Sequence, residues 1–339
     1  METSIEFGAR QAIVNCIDLK KYDKLCIITD ENSKEIADVL FVEAENITSN
    51  ISVFVMEDYG KRDSKGINPL RFPDEMKDAI LSSTVSIYCA GSMKNELKSF
   101  RKPMLEAVEK NEKLRHAHMP GITEQIMKDG MASDYAKIQE MSQKIYDVVK
   151  DAKEVHVTTD KGTDFTVELG FKWIISDGDL TKKKWTNLPD GEVFTCVKNI
   201  NGKAVINGVL GDYFTHFGIL DKTPLTLTFE DGYVKMISCE NKKLEEEVKK
   251  YSRQDENANR IGEFAIGTNL DLKKLIGNLL QDEKFPGVHI AIGHGYPEKT
   301  GSGWNSDAHL DCVIPDTTIV VDGKKIMEKG KFLDLMHSS

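Results

Sequence analysis

Short apolar runs alternate with longer amphipathic runs through about the first 120 residues of the chain. The run at residues 24–29 (KLCIIT) is typical of a buried strand, and the apolar positions that follow at about 33–45 recur at helical spacing. Strand–helix–strand alternation at this spacing predicts a parallel sheet with helices packed on it. The same pattern predicts strands at 51–56, 84–90 and 114–119 and helices at 73–81 and 95–111.

The pattern changes in the second half of the chain. Residues 121–152 predict two helices, and from residue 154 apolar and polar positions alternate with a period of two. EVHVTTDKGTDFTVELG predicts a hairpin that turns at Asp160-Lys161-Gly162. Further strand pairs are predicted in KAVINGVLGDYF, PLTLTFEDGYVKMISC and TTIVVDGKKIM, and a helix at about 242–251. The sequence therefore predicts an α/β N-terminal domain with a parallel sheet at 1–150, followed by an α+β domain rich in antiparallel strands at 151–339.

Composition narrows the class of protein. The formal net charge of -10 argues against nucleic acid as the main partner, because phosphate binding needs patches of Lys and Arg. No apolar run is long enough for a transmembrane helix, and the N-terminal sequence lacks the pattern of a signal peptide. The six cysteines form no Cys-x-x-Cys pair, so we expect buried, reduced thiols. These features predict a cytoplasmic protein that binds neither nucleic acid nor membrane.

Three segments after residue 185 carry the candidate chemistry. Glu192 follows a Pro/Gly turn in NLPDGEVFT and enters a β-type run. Glu263 lies among apolar residues and glycines in RIGEFAIGTN, where a charge is costly unless it is paired or bound to a metal. In the third segment, His289 occupies a strand-like run in DEKFPGVHIAIGHGYP, and Tyr296 follows it.

His309 and Asp311 form a His-x-Asp pair later in the third segment, in NSDAHLDCVI. Residues i and i+2 of a strand point to the same face, so this imidazole and carboxylate can converge as half of a metal site. Glu, Asp and His together suit Zn, Co, Mn or Fe(II) rather than an all-oxygen calcium cage. Ordinary alternatives stay open: a solvated turn carboxylate for Glu192, a salt bridge between Glu263 and Arg260, and hydrogen-bonded core histidines.

Other motifs give weaker indications. His116 and His118 are also an i, i+2 pair, but no acidic residue stands beside them, and they lie at the end of a predicted strand. His294, in GHGYP, is a candidate for contact with substrate. The chain lacks G-x-S-x-G and a cysteine in a His-rich context, which disfavours a Ser or Cys nucleophile. It also lacks the glycine-rich motifs of nucleotide-binding loops.

The four segments NLPDGEVFT, RIGEFAIGTN, DEKFPGVHIAIGHGYP and NSDAHLDCVI, in this order, resemble the aminopeptidase T family of metallopeptidases over roughly residues 185–335. The resemblance implies a homodimeric metallo-aminopeptidase that removes N-terminal residues from short peptides. It further implies two divalent metal ions per chain (zinc, cobalt or manganese) that activate a water, which makes the second domain the catalytic one. The metal ligands implied by the resemblance are Glu192, Glu263, His289, Tyr296, His309 and Asp311.

The resemblance also implies roles in catalysis. Glu283 falls on an acidic position of the family and is the candidate general base, or else a residue that supports the ligands. Tyr296 either binds a metal or donates a hydrogen bond to the developing oxyanion. If two ions bind, a carboxylate such as that of Glu263 is suited to bridge them.

The sequence leaves two rival functions open. Ring-cleaving dioxygenases that resemble this fold hold one Fe(II) with two His and one Asp, and a histidine stands where this chain has Glu263. Glu263 and Glu192 therefore favour the hydrolase. The run Cys312-Val313-Ile314-Pro315 replaces the aromatic-Met-Ile-Gly run usual after the His-x-Asp pair of the family, which leaves open a non-catalytic member.

Overall fold

The structure, a computed structural model, describes residues 3–334 of the chain. These residues form two compact units. The first unit comprises residues up to 136 together with 177–190, and the second comprises 137–176 and 191 onward. The chain thus leaves the first unit, returns to it for a short segment and leaves it again. The predicted domain boundary at residue 150 stays a prediction.

A five-stranded parallel sheet forms the centre of the first unit, as the alternating pattern predicts, with strand order β2-β1-β3-β4-β8. Strands β1 and β3 are buried at every position, which is typical of a parallel sheet covered by helices on its faces. The fifth strand, β8, comes from the returning segment and was not predicted. The strands are β1 (Leu25–Thr29), β2 (Ile51–Val55), β3 (Val85–Ala90), β4 (Arg115–Pro120) and β8 (Trp185–Asn187).

Helices connect these strands, and the predicted helices are confirmed with shifts of a few residues. The first helix has Ser4 as its N-cap, whose side chain accepts a hydrogen bond from the Phe7 N–H group. This helix widens into π-type turns over Gln11–Cys16, and similar turns at Leu97–Arg101 lead into α4. The helices are α1 (Ile5–Arg10), α2 (Lys34–Glu45), α3 (Asp74–Ser82), α4 (Lys102–Lys110) and α5 (Glu124–Lys128), with 3₁₀ turns at Glu31–Ser33 and Met56–Tyr59. The next helix, α6 (Tyr135–Val149), belongs to the second unit from residue 137 onward.

The second unit contains an eight-stranded antiparallel sheet with strand order β12-β11-β10-β6-β5-β16-β17-β18. The predicted hairpin turns are present, and Asp231 and Asp322 adopt left-handed backbone conformations there, with φ of 52° and 45°. The helix predicted at 242–251 is α7 (Lys242–Tyr251). The strands are β5 (Glu154–Thr158), β6 (Asp164–Glu168), β10 (Asn199–Ile206), β11 (Leu225–Glu230), β12 (Tyr233–Ser238), β16 (Thr318–Val321), β17 (Lys324–Glu328) and β18 (Lys331–Phe332).

One predicted strand pair is wrong. In KAVINGVLGDYF only the first part belongs to a strand, β10, and Asp212–Phe217 is a 3₁₀ helix. Between them the chain runs against the strand at His309–Pro315, and a Cβ at Gly208 would lie 2.5 Å from the carbonyl oxygen of Val313. The apolar residues of this stretch are therefore buried by close backbone approach to another strand, which a period-two pattern does not distinguish from a hairpin.

A second antiparallel sheet of five strands, in the order β15-β14-β13-β9-β7, positions the candidate site. Strands β13 and β14 are buried at every one of their seven positions. Their register shifts between Ile261 and Glu263, which marks a bulge beside Glu263. The strands are β7 (Ile174–Ser176), β9 (Glu192–Thr195), β13 (Ile261–Gly267), β14 (Gly287–Gly293) and β15 (His309–Pro315), with short helices α8 (Leu279–Asp282) and α9 (Pro297–Thr300) between them.

Two further expectations concern the whole chain. All six cysteines are buried thiols, as their apolar surroundings predict. From residue 3 to residue 334, none of the helices combines the length and the apolar character that crossing a membrane requires.

Candidate metal centre

Four neighbouring strands of the five-stranded antiparallel sheet bring the predicted ligands together. Glu192 is the first residue of β9, and Glu263 and His289 are each the third residue of their strands, β13 and β14. His309 and Asp311 are the first and third residues of β15, so they share one face of that strand.

Small cross-strand neighbours leave room between these large side chains. Ala291 pairs with both Glu263 and Asp311, and Ala265 pairs with His289. Directly paired residues of antiparallel strands carry their side chains on the same face of the sheet. The two methyl groups therefore form the floor on which the carboxylates and the imidazole converge.

Glu263 lies between the two histidines. Its Oε1 atom is 3.7 Å from Nε2 of His289, and its Oε2 atom is 3.5 Å from Nε2 of His309. Nε2 of His289 is also 3.3 Å from Oε2 of Glu192, and Nε2 of His309 is 3.3 Å from Oδ1 of Asp311. The two oxygens of one buried carboxylate thus face two different histidine–carboxylate pairs.

Glu283 joins the cluster from the end of α8, together with a lysine that the sequence did not indicate. Nζ of Lys284 is 2.7 Å from Oε1 of Glu192 and 2.8 Å from Oε1 of Glu283, and its side chain is 1% exposed. A lysine in a short turn after a helix is ordinarily solvated. Because Lys284 follows the polar residues Gln281, Asp282 and Glu283, its local sequence does not distinguish it from a solvated lysine.

Aromatic rings surround the most exposed of these side chains, that of His309, which is 27% exposed. The Tyr296 hydroxyl lies 3.3 Å from Nε2 of His309, and its ring packs against those of Phe194 and His294. Tyr296 has a φ of 49°, a left-handed conformation that is uncommon for a bulky residue and clusters at functional sites. His294, the candidate substrate contact, thus lies beside Tyr296 and His309, at the more exposed side of the cluster.

The close carboxylates shift the pKa values of their neighbours. Burial alone would lower the pKa of His289, but Glu263 and Glu192 outweigh it and raise this pKa to about 9. At His309 burial would again lower the pKa, but Asp311 and Glu263 raise it to about 10. Burial raises the pKa of Glu283 to about 8, although Lys284 opposes the shift. The cluster is therefore strongly negative and attracts protons or other cations.

The residues fit divalent metal ions. Three groups each bring their ligand atoms within 4.8 Å of one another. Nδ1 of His289 is buried without a hydrogen-bond partner, which is costly in a protein interior unless a cation or another polar group completes it. Carboxylate and imidazole donors in this mixture suit Zn, Co or Mn. The three groups are Glu192 with Glu263 and His289; Glu263 with His309 and Asp311; and Glu283 with His289 and Asp311.

The histidine pair of the first unit is a different kind of site. His116 and His118 are buried on β4, with Nε2 of the first 3.3 Å from Nδ1 of the second. Ser86 forms a 2.7 Å hydrogen bond with Nδ1 of His116, and Tyr88 stacks on His118. Burial lowers the pKa of His116 to about 3 and that of His118 well below its usual range. These are neutral, hydrogen-bonded core histidines.

Comparison with known proteins places a chain with this fold and this acidic, metal-type site in a family of metalloproteases. The sequence profile of the thermophilic metalloprotease (M29) family matches residues 99–334. The chain belongs to this family, which confirms the resemblance drawn from the four motifs. No curated protein sequence matches the chain significantly.

Solved structures with this fold include two whose similarity extends over nearly the whole chain. AmpT from Thermus thermophilus superposes with a TM-score of 0.72 over 97% of this chain and 98% of its own, at 18% identity. A 2,5-dihydroxypyridine dioxygenase from Pseudomonas putida KT2440 superposes with a TM-score of 0.69 over 97% of both chains, at 13% identity. The predicted fold class, a parallel α/β region followed by antiparallel sheets, is confirmed. Because a dioxygenase also has this fold, the fold alone does not decide the reaction, which depends on the residues of the site.

Proposed function

We propose that this metalloprotease is an aminopeptidase that removes N-terminal residues from short peptides with two divalent ions, zinc, cobalt or manganese. The observation that carries the proposal is the position of Glu263 between two ligand groups. Glu192, Glu263 and His289 would hold one ion, and Glu263, His309 and Asp311 the other, with Glu263 as the shared carboxylate. Bound there, the ions would supply Lewis acidity and lower the pKa of the attacking water.

Glu283 is the proposed general base. It is 8% exposed, and one of its oxygens is held by Lys284. Burial raises its pKa to about 8 in the metal-free protein. The positive charge of bound ions would lower this pKa again, so that the carboxylate could take a proton from water and return it to the leaving amine near neutral pH.

Tyr296 is the proposed hydrogen-bond donor to the substrate oxygen, because its hydroxyl already lies beside Nε2 of His309. Burial, with Glu263 and other carboxylates, raises the pKa of Tyr296 well above its usual range. The phenol therefore keeps its proton and can donate it to a hydrogen bond as negative charge develops.

The burial of the cluster favours an exopeptidase. The side chains of Glu192, Glu283 and Lys284 are at most 10% exposed, whereas that of His309 is 27% exposed. A substrate that approached from the side of His309 would meet these buried side chains, an arrangement that suits a chain terminus better than the middle of a polypeptide. Homodimerisation and a cytoplasmic location stay predictions.

The test is metal analysis of the purified protein with assay of aminoacyl-p-nitroanilides after addition of Co(II), Zn(II) or Mn(II). We expect about two ions per chain and metal-dependent release of the amino acid. Glu263→Ala and His309→Ala should lose bound metal and activity. The exposed control variants Glu246→Ala and His156→Ala should keep bound metal and activity. One iron per chain without amide hydrolysis would indicate the dioxygenase instead, and neither metal nor activity would indicate a non-catalytic member.

A further inference from the structure

Lys284 brings a positive charge into the centre of the acidic cluster. Its backbone is fixed on both sides: its N–H group donates to the Gln281 carbonyl at 2.9 Å, and its own carbonyl accepts from the Asn269 N–H group at 3.0 Å. Its side chain is 1% exposed and ends between two carboxylates. A buried lysine is costly unless it is paired, so the position of this ammonium group is specified by the fold.

The ammonium group takes one oxygen from each carboxylate. It contacts Oε1 of Glu192, whose Oε2 faces Nε2 of His289 at 3.3 Å. It also contacts Oε1 of Glu283, the proposed base. Lys284 thereby fixes the rotation of a proposed ligand and of the proposed base at the same time, and it directs the remaining oxygen of Glu192 toward the histidine.

The charge of Lys284 changes the electrostatic balance of the site. Four carboxylates (Glu192, Glu263, Glu283 and Asp311) and one ammonium group give a net charge of minus three with neutral imidazoles. Two divalent ions would bring the site to plus one, whereas without the lysine it would be neutral. A positive site favours the negative charge that develops on the substrate oxygen. The same charge repels the incoming ions.

We propose that Lys284 is a positioning residue that raises turnover by orienting Glu192 and Glu283 and by keeping the metal-loaded site one charge more positive, and that its repulsion of the incoming ions lowers metal affinity by more than its orientation of Glu192 raises it. The inference rests on the proposed two-metal aminopeptidase function. A purely structural role would lower kcat and metal affinity together. This inference instead requires that removal of the lysine lower kcat and raise metal affinity.

The experiment compares the wild type with Lys284→Met, which keeps the length of the side chain without its charge, and with Lys284→Arg, which keeps the charge. Affinity for Mn(II) or Co(II) is measured by competition with a chelator, and kcat and KM at saturating metal with aminoacyl-p-nitroanilides. Lys249→Met is the control for loss of a paired lysine charge, because Lys249 is paired with Glu245 on α7, outside the cluster, with its side chain 30% exposed.

We expect Lys284→Met to bind the same number of ions about tenfold more tightly and to lose about a hundredfold in kcat, with KM nearly unchanged. Lys284→Arg should recover much of the lost kcat, and the control should match the wild type. A Lys284→Met variant with wild-type kcat, or one that loses metal and turnover together, overturns the inference. If that variant fails to fold, Lys284→Gln takes its place, and the same decrease in kcat with an increase in metal affinity is required.

The wild-type arm separates this inference from the function on which it rests. A wild type without bound metal and without hydrolysis rejects the proposed function itself, and the inference with it. A metal-dependent, active wild type whose lysine variants are unchanged in affinity and turnover rejects only the role of Lys284.

Discussion

The hydroxyl of Tyr251 holds the backbone of His309 at two points: it accepts a hydrogen bond from the His309 N–H group at 2.9 Å and donates one to the His309 carbonyl oxygen at 3.1 Å. Tyr251 is the last residue of α7, and His309 is the first residue of β15. The side chain of a helix therefore anchors the point at which a proposed metal ligand enters the sheet.

Tyr251→Phe should loosen this anchor without changing the ligands. Two partly buried hydrogen bonds are lost, so we expect the free energy of unfolding to fall by about 2 kcal/mol and metal affinity to weaken. Urea denaturation and chelator competition measure the two effects. Tyr213→Phe is the control, since its ring packs on Tyr251 but is 57% exposed. Equal affinity in Tyr251→Phe and the wild type would contradict the anchoring role.

Metal binding and stability should depend on pH in opposite directions. Without metal, the interactions that raise the pKa values of His289 and His309 to about 9 and 10 stabilise the protein below about pH 6.5 and are lost as the pH rises through those values. Burial raises the pKa of Glu283 to about 8, so its ionisation also destabilises the metal-free protein as the pH rises.

Metal ions must displace these protons, so affinity should increase with pH. We expect the Tm of the chelator-treated protein to fall from pH 6.5 to pH 9, and the increase in Tm on adding Mn(II) to grow over the same range. Thermal unfolding with EDTA and with Mn(II) measures both. A metal-induced increase in Tm that stays constant or shrinks with pH would show that these histidines do not bind the metal.

Much of the fold was predictable because local patterns decide it. Strands such as β1 and β3 are continuous apolar runs between helices with regular apolar spacing, and the turns at Asp231 and Asp322 carry the residues that left-handed conformations favour. By contrast, β8 is three residues long and pairs with β4 across a long stretch of intervening chain. Its place depends on long-range packing, which no local pattern contains.

The candidate site likewise contains residues that the local sequence predicted and one that it did not. Glu263, His309 and Asp311 were identifiable because charged and imidazole groups stood in apolar, glycine-containing strands, where they need partners. Lys284 was missed because a lysine beside a glutamate in a turn has the same local sequence whether it is solvated or buried. Only the approach of β9 places Glu192 within 2.7 Å of its ammonium group.

Tyr296→Phe tests whether the phenol binds metal or donates a hydrogen bond. Because carboxylates and histidines already supply the ligand groups, we expect the variant to retain the metal of the wild type and to lose about tenfold to a hundredfold in kcat. Metal analysis and steady-state kinetics give the two values. Loss of one ion per chain would instead make Tyr296 a ligand.

Gly262→Ala should disrupt the site through the backbone. A Cβ at this position would lie 2.3 Å from the carbonyl oxygen of Gly293 and 2.4 Å from that of His294, so β13 and β14 must separate beside Glu263. We expect the free energy of unfolding to fall by about 3 kcal/mol and metal binding to weaken. Gly303→Ala, where a Cβ meets no atom within 4 Å, is the control for urea denaturation and metal analysis. A Gly262→Ala variant as stable as that control would contradict the close approach.

The first unit contains its own buried ionic cluster, and its disruption should affect stability alone. Arg62 is 2% exposed in its side chain and donates to both oxygens of Glu96, to the Gly91 carbonyl at 2.6 Å and to Asp30. Arg62→Ala would leave two buried carboxylates without their partner. We therefore expect a loss of about 3–5 kcal/mol in the free energy of unfolding.

Urea denaturation measures this loss, with Lys61→Ala as the exposed neighbouring control. Folded Arg62→Ala protein should keep wild-type metal content, because every proposed ligand lies in the second unit. The double variant Arg62→Met with Glu96→Met should recover part of the stability, since it removes a charge of each sign from the interior. An Arg62→Ala variant with the stability of the wild type would show that Asp30 and Glu96 are not desolvated as the structure indicates.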